Sequence, residues 1–421
     1  MRIAFYSLGC KVNHSEIESF KRLFAKSGFD VVPGDGSADI YIINSCTVTA
    51  RSDSKTRQLI RRTRRKEEHA VIVLTGCFAS VVAKEELYEL GVDLVVLNSQ
   101  KSQLFQIVLD QTASLKKRTG AEKHVPKTHK PNLKTRAMVK IQDGCDRSCA
   151  YCIIPRARGK SQSKSIDEIK AEVQELAKAG FVEIVVTGVN LSLFKRGAES
   201  LEDVIAFICD FPSIKRVRLG SLEPEAITDS LVWKLKKQNK FCPHFHISLQ
   251  SGCNKILKAM NRRYSTDDFR EAVNVLKTSF EDVSITTDVI AGFPGEDDCD
   301  FEESLEFVKL LEFSKIHVFP YSKRPGTAAQ MMAGQISKDC KTRRVRAMAE
   351  VSKLAQLQFM QKLQGSEQEV LFEKRTKDGN FKGFTPNYAE VKVNSDFDLS
   401  GKICKVKILT TDGLSCVGSL M

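Results

Sequence analysis

Short apolar runs alternate with helical stretches along the first hundred residues. The runs at residues 3–8, 39–43 and 71–74 have the length and the β-branched content of strands. Stretches between them, such as residues 16–26, have apolar positions at helical spacing. Alternation of this kind indicates parallel strands joined by right-handed crossovers. The pattern therefore predicts an N-terminal open parallel α/β sheet over residues 1–111.

A second alternating series of strands and helices occupies residues 136–361. It contains fewer βα units than the eight that close a complete barrel. We therefore expect a central partial (β/α)6 barrel, which places the chain in the α/β class. The predicted strands are residues 137–142, 183–187, 216–219, 244–249, 284–290 and 315–319.

The pattern changes again towards the C-terminus, where short alternating strands are punctuated by glycines. This change predicts a small antiparallel β-barrel over residues 362–421. Residues 112–135 are rich in Lys, Arg, Thr and His, contain prolines, and lack apolar periodicity. We expect them to form a basic linker between the first two domains.

The composition is that of a soluble globular protein, with 42% hydrophobic and 28% charged residues. The longest apolar runs are far too short to cross a bilayer, and the N-terminus is typical of a first strand rather than an export signal. We therefore expect a cytoplasmic protein with no membrane association. The formal net charge of +13 favours a polyanionic partner such as nucleic acid, although charge alone does not identify one.

Cys145, Cys149 and Cys152 form a C-x3-C-x2-C motif directly after the first predicted barrel strand. Because disulfides are rare in a reducing compartment, clustered cysteines are better explained as metal ligands or catalytic thiols. Three thiolates in one short loop can hold an iron–sulfur cluster that leaves one iron open for a substrate. The alternatives are coincidence and a zinc knuckle, which normally requires a fourth ligand nearby.

Cys10, Cys46 and Cys77 are distant in sequence, yet each follows the carboxyl end of a predicted strand. In an open α/β sheet those ends share one edge, where ligands bind. The three thiols could therefore converge on a second, auxiliary cluster that also leaves one iron open. Each of them could instead be a small buried residue. The remaining cysteines show no ligand spacing, and we expect packing or surface roles for them.

Polar and glycine-rich segments follow the predicted barrel strands, at the end where barrel enzymes place their catalytic groups. These segments include residues 187–190, 221–224, 248–252 and 287–288. Ordinary turn chemistry also favours Gly, Asn and Pro at such positions. The spacing alone therefore assigns no individual role to these residues.

The C-x3-C-x2-C loop resembles the signature of radical-SAM enzymes, in which the open iron binds S-adenosylmethionine and reductive cleavage yields a 5′-deoxyadenosyl radical. The two cysteine sets, their order and the C-terminal β segment together resemble the methylthiotransferase family over nearly the whole chain. The tetrad Cys10-Lys11-Val12-Asn13 is similar to the MtaB-type branch, which methylthiolates N6-threonylcarbamoyladenosine beside the tRNA anticodon. Other segments similar to that branch are residues 246–264, 286–296, 318–329 and 383–393.

His14 and Cys253 depart from the family pattern, since Gln is usual at the first position and Ser or Thr at the second. Neither departure touches the predicted cluster ligands. Both leave the fine tuning of the substrate site open.

The resemblance implies two [4Fe-4S] clusters and S-adenosyl-L-methionine as cofactors. Cys145, Cys149 and Cys152 would hold the radical-SAM cluster, and the other cysteine set would hold the auxiliary cluster. Residues 187–190 would contact the amino group of S-adenosylmethionine, and Asp288 would belong to the cofactor or radical environment. The cofactor-binding residues that the resemblance implies are Tyr151, Thr187, Gly188, Asn190, Glu223, Gln250 and Asp288.

The implied reaction removes the hydrogen from C2 of the adenine at the radical-SAM cluster. Sulfur on or near the open iron of the Cys10, Cys46 and Cys77 cluster then bonds to that carbon, and a second S-adenosylmethionine supplies the methyl group. The implied partners are a tRNA substrate, an external electron donor and a sulfur source. A C-terminal TRAM domain would recognise the substrate, and we expect a monomer.

A run of basic residues lies on or just after the predicted helix that follows Cys46. Its arginines are Arg61, Arg62, Arg64 and Arg65. Since the helix follows a predicted cluster ligand, these side chains are candidates for contacts with RNA phosphates. A solvated helix face is the common alternative for such a run.

Other functions are compatible with parts of the sequence. Within the same enzyme class, the substrate could be isopentenyladenosine in tRNA or an aspartate in a ribosomal protein. The triplet after Cys10 and the basic charge disfavour the ribosomal protein. In a different class, the chain could be a non-enzymatic, metal-containing RNA-binding protein that uses its terminal β-barrel alone.

Overall fold

The structure, a computed structural model, describes residues 1–119 and 135–421, without the side chains of residues 112–119. In these residues, no helix combines the length and the apolarity needed to span a lipid bilayer. The described chain divides into two compact units. The first unit contains the N-terminal region with Asp143–Ser161 and Ser322–Gln330, and the second contains residues 135–142, Gln162–Tyr321 and Met331–Met421.

The N-terminal region of the first unit alternates strands with helices. The strands are β1 (Arg2–Ser7), β2 (Asp30–Val32), β3 (Ile40–Ser45), β4 (Val71–Gly76) and β5 (Leu94–Val96). The helices are α1 (Lys11–Lys26), α2 (Ala50–Lys66), α3 (Cys77–Val81), α4 (Lys84–Glu89) and α5 (Leu104–Thr119). The strands pair in parallel in the order β2-β1-β3-β4-β5. This confirms the predicted open parallel α/β sheet.

Helices cover both faces of this sheet. Ile42 of β3 packs in a cluster with Ile17 and Phe24 of α1, whereas Ile43 packs with Ile60 of α2. Consecutive strand residues point to opposite faces, so a strand buried on both faces must be apolar at every position. The continuous apolar run in the centre of β3 has this physical cause.

The predicted basic linker, residues 112–135, differs from the structure at its start. Helix α5 continues to Thr119, so the linker's first eight residues are helical. The remainder up to residue 134 lies outside the described residues.

Strands and helices alternate again from residue 136 to residue 362. The strands are β6 (Arg136–Asp143), β7 (Gln162–Ser163), β8 (Glu183–Gly188), β9 (Arg216–Leu219), β10 (Ser221–Leu222), β11 (His244–Ile247), β12 (Ser284–Ala291) and β13 (Lys315–Pro320). The helices are α6 (Ile154–Arg158), α7 (Ile166–Lys178), α8 (Leu201–Cys209), α9 (Asp229–Lys236), α10 (Asn254–Ala259), α11 (Thr266–Ser279), α12 (Asp298–Leu310), α13 (Ala328–Met331) and α14 (Lys338–Lys362).

These strands form the predicted partial barrel. They pair in the orders β7-β6-β8-β9 and β10-β11-β12-β13, and Gly220 alone separates β9 from β10. The predicted strands correspond to β6, β8, β9, β11, β12 and β13. The sequence pattern missed β7 and β10, because two residues carry no periodicity.

A small closed barrel ends the chain, as predicted. Its strands are β14 (Glu367–Arg375), β15 (Phe381–Phe384), β16 (Glu390–Val393), β17 (Ile403–Thr411) and β18 (Cys416–Leu420). They close in the order β14-β15-β16-β18-β17, with β16 and β18 parallel and the other neighbours antiparallel. Inward residues such as Phe372 and Val391 pack with Met360 and Leu363 at the end of α14.

A buried charged cluster joins the two barrels of the second unit. Glu183 of β8 has no exposed side-chain surface and pairs with Arg218 of β9 at 3.3 Å. The Arg218 guanidinium also donates to the carbonyl oxygens of Thr385 and Pro386, at 3.3 and 2.8 Å, and lies over the Tyr388 ring. The turn between β15 and β16 is therefore held by an arginine of the larger barrel.

Replacing Arg218 with Met should destabilise the second unit. Glu183 would stay buried without this ion-pair partner, and the carbonyl oxygens of Thr385 and Pro386 would lose a donor. We expect a loss of about 3–5 kcal/mol in the free energy of unfolding, measured as a lower midpoint in calorimetry. Arg270→Met is the control, since Arg270 is 47% exposed and forms a surface pair that is worth less than about 1 kcal/mol. Equal midpoints for the two variants would contradict a structural role for Arg218.

Candidate functional site

Cys10, Cys46 and Cys77 lie at one edge of the N-terminal sheet. The first precedes α1, the second follows β3 and the third begins α3. Because β1, β3 and β4 are neighbours in the sheet, the carboxyl ends of these strands lie side by side. Burial raises the pKa of the Cys46 thiol, and the thiols of Cys10 and Cys77 lie near enough to raise it further. The three predicted ligands therefore share one edge of the sheet.

Two glycines allow this close approach. Gly9 has a φ of +102°, and a Cβ at that position would lie 2.7 Å from the Sγ atom of Cys46. Gly76 has a φ of +96°, and a Cβ there would lie 2.5 Å from the Oδ1 atom of Asn44. A side chain at either position would therefore push the cysteine-bearing segments apart.

Asn13 ties two of these segments together. Its Nδ2 atom donates to the carbonyl oxygens of Leu8 and Ser45, each at 2.8 Å. Asn44 in turn donates from its Nδ2 atom to the carbonyl oxygen of Asn13 at 3.0 Å. Asn13, which the sequence identified only as part of a family resemblance, therefore has a physical role in joining these segments.

A buried charge network lies beside these cysteines. Glu16 pairs with Lys101 at 2.6 Å and with Arg158 of α6 at 3.1 Å. Arg158 also pairs with Asp143 at 2.7 Å and donates from Nε to the Sγ atom of Cys77 at 3.3 Å. Burial lowers the pKa of Arg158, but the nearby negative groups outweigh burial and hold that pKa well above its ordinary value. None of these charged residues was predicted from the sequence.

Cys145, Cys149 and Cys152 lie in the loop between β6 and α6, within the same unit as the other set. The backbone nitrogen of Cys145 donates to the carbonyl oxygen of Gly159 at 3.1 Å, and that of Cys152 donates to the carbonyl oxygen of Cys149 at 3.0 Å. The three cysteines and Tyr151 are half-buried, so their side chains remain accessible to a ligand.

The donor chemistry fits iron–sulfur clusters. Each set would supply three sulfur ligands, and the cysteines of both sets are free thiols. In the part of the chain that the structure describes, no three His, Cys, Asp or Glu side chains are grouped closely enough to hold a metal ion as they stand. Iron–sulfur clusters are held by thiolates on separate iron atoms, so three thiolates would leave one iron of a four-iron cluster open.

The barrel-edge residues of the second unit form a chain of hydrogen bonds. The backbone nitrogen of Glu223 donates to Ser192 Oγ at 2.8 Å, and that of Ser192 donates to Asn190 Oδ1 at 3.1 Å. The backbone nitrogen of Asn190 donates to Gln142 Oε1 at 2.8 Å. Gly188 packs against Gln142, which sequence reasoning missed although it ends the first predicted strand.

The other predicted cofactor residues lie at the ends of strands in the same unit. Thr187 is buried near the end of β8. Gln250 has a φ of +68°, a conformation that non-glycine residues adopt mainly where surrounding structure imposes it. Its backbone nitrogen donates to the carbonyl oxygen of Asp288 at 2.8 Å. The surrounding structure therefore holds the Gln250 backbone in this conformation.

Two of the predicted carboxylates have basic partners that the sequence did not reveal. Glu223 forms an ion pair with Arg262, and both side chains are nearly buried. Asp288 lies 3.2 Å from the Nε2 atom of His246. A ligand hydroxyl or amine would have to share these carboxylates with their partners.

The predicted RNA-contacting arginines of α2 divide into two groups. Arg61, Arg62 and Arg65 are exposed. Arg64 instead folds back, and its Nη2 atom donates to the carbonyl oxygen of Gly91 at 3.0 Å. A shallow concavity of about 520 Å³ is lined by Arg61, Arg64 and Arg65. The exposed arginines are therefore the ones available to a phosphate.

Two family models match the chain. The radical SAM superfamily matches residues 139–308, which include the C-x3-C-x2-C motif. The uncharacterized protein family UPF0004 matches residues 2–97, which include the other cysteine set.

A relative from Bacillus subtilis (strain 168), named threonylcarbamoyladenosine tRNA methylthiotransferase MtaB, is 36% identical and covers 97% of this chain and 93% of the relative. One from Thermodesulfovibrio yellowstonii, named tRNA-2-methylthio-N(6)-dimethylallyladenosine synthase, is 30% identical with coverages of 99% and 97%. The solved structure of the radical S-adenosylmethionine methyltransferase TsrM from Kitasatospora setae shares the fold, with a TM-score of 0.57 at 12% identity and coverages of 78% and 77%. Because the first identity extends over nearly the whole of both chains, this chain belongs to the MtaB-type radical-SAM methylthiotransferases.

Proposed function

We propose that the protein is a tRNA methylthiotransferase that converts N6-threonylcarbamoyladenosine beside the anticodon to its 2-methylthio derivative. Support comes from the 36% identity with the Bacillus subtilis relative that carries this activity in its name. The observation that carries the proposal is the contact from Arg158 to Cys77. Through this contact, the helix that follows the C-x3-C-x2-C loop reaches the strand-edge cysteine set, which consists of Cys10, Cys46 and Cys77. A reaction that uses both cysteine sets requires such proximity.

The cofactors that we infer are two [4Fe-4S] clusters and S-adenosyl-L-methionine. When bound, these groups would supply radical activation of the C–H bond and the sulfur and methyl groups. Cys145, Cys149 and Cys152 would hold the radical-SAM cluster, and the strand-edge set would hold the auxiliary cluster. Asn190 and Gln250 would orient S-adenosylmethionine, in keeping with the hydrogen-bonded and strained positions that they occupy.

We also infer the partners of the protein and its location in the cell. The net charge of +13 and the exposed Arg61 and Arg65 suit a tRNA substrate. An external electron donor and a sulfur source would complete the reaction, and a monomeric, cytoplasmic enzyme is our expectation. The lower identity with the dimethylallyladenosine-named relative, 30% against 36%, favours the threonylcarbamoyl nucleoside.

Single alanine variants of the two cysteine sets test this function. In cells that lack the gene, plasmids encoding Cys149→Ala or Cys46→Ala should fail to restore 2-methylthio-N6-threonylcarbamoyladenosine, because each removes a proposed cluster ligand. Mass spectrometry of tRNA nucleosides measures the product and the accumulating precursor.

The matched control for these variants is Cys340→Ala, which changes a half-buried cysteine of α14 outside both sets and should restore the product. Restoration by Cys46→Ala would refute the auxiliary ligand set. An unchanged nucleoside profile in the deletion strain would move the substrate to isopentenyladenosine or a ribosomal protein.

Gly76→Ala should remove the auxiliary cluster while leaving the radical-SAM cluster in place. The added Cβ would meet Asn44 Oδ1 at 2.5 Å and displace the segment that carries Cys77. We expect about half of the iron of the wild-type protein after reconstitution, because one of two four-iron clusters is lost.

The control for Gly76→Ala is Gly28→Ala, which separates the effect of steric crowding by the added Cβ from the effect of backbone strain. Gly28 has a similar φ, +84°, but a Cβ there would meet nothing within 4 Å. This control should retain full iron and lose only about 1 kcal/mol of stability. Equal iron contents in the two variants would contradict the close-packed cysteine site.

The variant Arg61→Gln with Arg65→Gln should weaken tRNA binding and flatten its salt dependence. The slope of log K against log salt should become shallower by about 1–2, since each phosphate contact contributes about 0.7–0.9. Filter binding at several salt concentrations measures both quantities. Arg64 stays unchanged because its guanidinium already donates to the carbonyl oxygen of Gly91.

The control for charge alone is Lys178→Gln with Lys236→Gln, which removes two exposed charges from barrel helices. If both double variants change the slope equally, the arginines of α2 form a solvated face and not a specific RNA contact.

A further inference from the structure

Arg158 connects two parts of the first unit. It ends α6, six residues after Cys152, and only 1% of its side chain is exposed. Its Nη2 atom donates to Asn13 Oδ1 at 2.5 Å, and its Nη1 atom bonds Glu16 and Asp143 at 3.1 and 2.7 Å. A fork of this kind needs all the guanidinium nitrogens in a fixed plane, which lysine cannot offer.

Among the described residues, ion pairs that involve no sulfur already hold the Arg158 guanidinium. Glu16 and Asp143 carry two negative charges, and Arg158 and Lys101 carry two positive charges. The carboxylates and Asn13 therefore account for the burial of the guanidinium and for both of its terminal nitrogens. They do not account for the position of the third nitrogen, Nε.

That third nitrogen is directed at a proposed cluster ligand. Nε of Arg158 lies 3.3 Å from Cys77 Sγ, which is hydrogen-bond distance to sulfur. Asn98 approaches the same sulfur at 3.9 Å and donates to the carbonyl oxygen of Ala157, next to Arg158, at 2.7 Å. Hydrogen bonds to the sulfur ligands and nearby positive charge both favour the more negative, reduced state of an iron–sulfur cluster.

We propose that Arg158 is a positioning residue that raises the reduction potential of the auxiliary cluster through its bond to Cys77. The inference rests on the proposed function, because it requires a cluster on Cys10, Cys46 and Cys77. Arg158 lies on the segment that leads out of the C-x3-C-x2-C loop, so the electronic state of one cluster depends on the fold of the loop that holds the other. No role for Arg158 in binding the substrate is needed.

The test uses the full chain with Cys145, Cys149 and Cys152 changed to Ala, so that only the auxiliary cluster can be loaded. Iron and sulfide are counted after reconstitution, and the midpoint potential is measured by electron paramagnetic resonance during reduction with dithionite. In this background, Arg158→Gln should shift the potential to more negative values. We expect the reduction equilibrium to change about tenfold, which is about 59 mV for one electron.

Two further variants separate the bond to sulfur from general structure. Arg158→Lys keeps the charge but loses the fixed Nε donor, so it should shift the potential in the same direction by less. Arg156→Gln changes an exposed arginine of the same helix, whose Nη1 atom contacts the carbonyl oxygen of Pro325 at 3.4 Å, and should leave the potential unchanged.

The outcomes are distinguishable. A wild-type potential in Arg158→Gln with full iron would overturn this inference and leave the proposed function standing. If Arg158→Gln loses iron, the Lys variant decides: a negative shift supports the inference, and a wild-type potential overturns it. If the parent that retains Arg158 holds no cluster, the two-cluster proposal fails, and this inference fails with it.

Discussion

The close approach of three strand ends is the constraint on which the candidate site depends. Parallel strands β1, β3 and β4 lie side by side, so the residues that follow them share one edge of the sheet. The cysteines at this edge can approach one another only because Gly9 and Gly76 have no side chain. Asn13 then joins two of these segments by donating to the carbonyl oxygens of Leu8 and Ser45. Cysteines far apart in sequence are thus brought to one edge of the sheet.

Both units contain a buried, charged side chain that is paired with arginine. Glu16 beside the cysteines and Glu183 between the barrels are both buried and both paired with arginine. Removing such groups from water costs more than a simple ion pair returns, so they persist where additional hydrogen bonds complete the arrangement. Arg218 fulfils this condition by bonding a turn of the terminal barrel, and Arg158 fulfils it by bonding Asn13 and Cys77.

Much of the fold and part of the site could be predicted from the sequence. Strand and helix periodicity is local, so the runs that became β3 and β8 were recognisable within a few residues. The C-x3-C-x2-C spacing is also local, and it indicated one cluster loop directly. Cys46 and Cys77 required a further step, since only the rule that parallel strands share a carboxyl edge joined them. The C-terminal end of α5 and the two-residue strands β7 and β10 were not predicted, because no apolar periodicity marks them in the sequence.

The sequence by itself determined the class of fold, the order of the domains and the two sets of cysteines, because each depends on spacing within a short segment or on a general rule of topology. The tertiary structure alone decided which polar residues support those cysteines. Arg158 meets Cys77 across 81 residues and Glu16 across 142 residues. A contact between such distant positions leaves no local signal, since it exists only once the chain has folded and burial has made the unpaired charge costly.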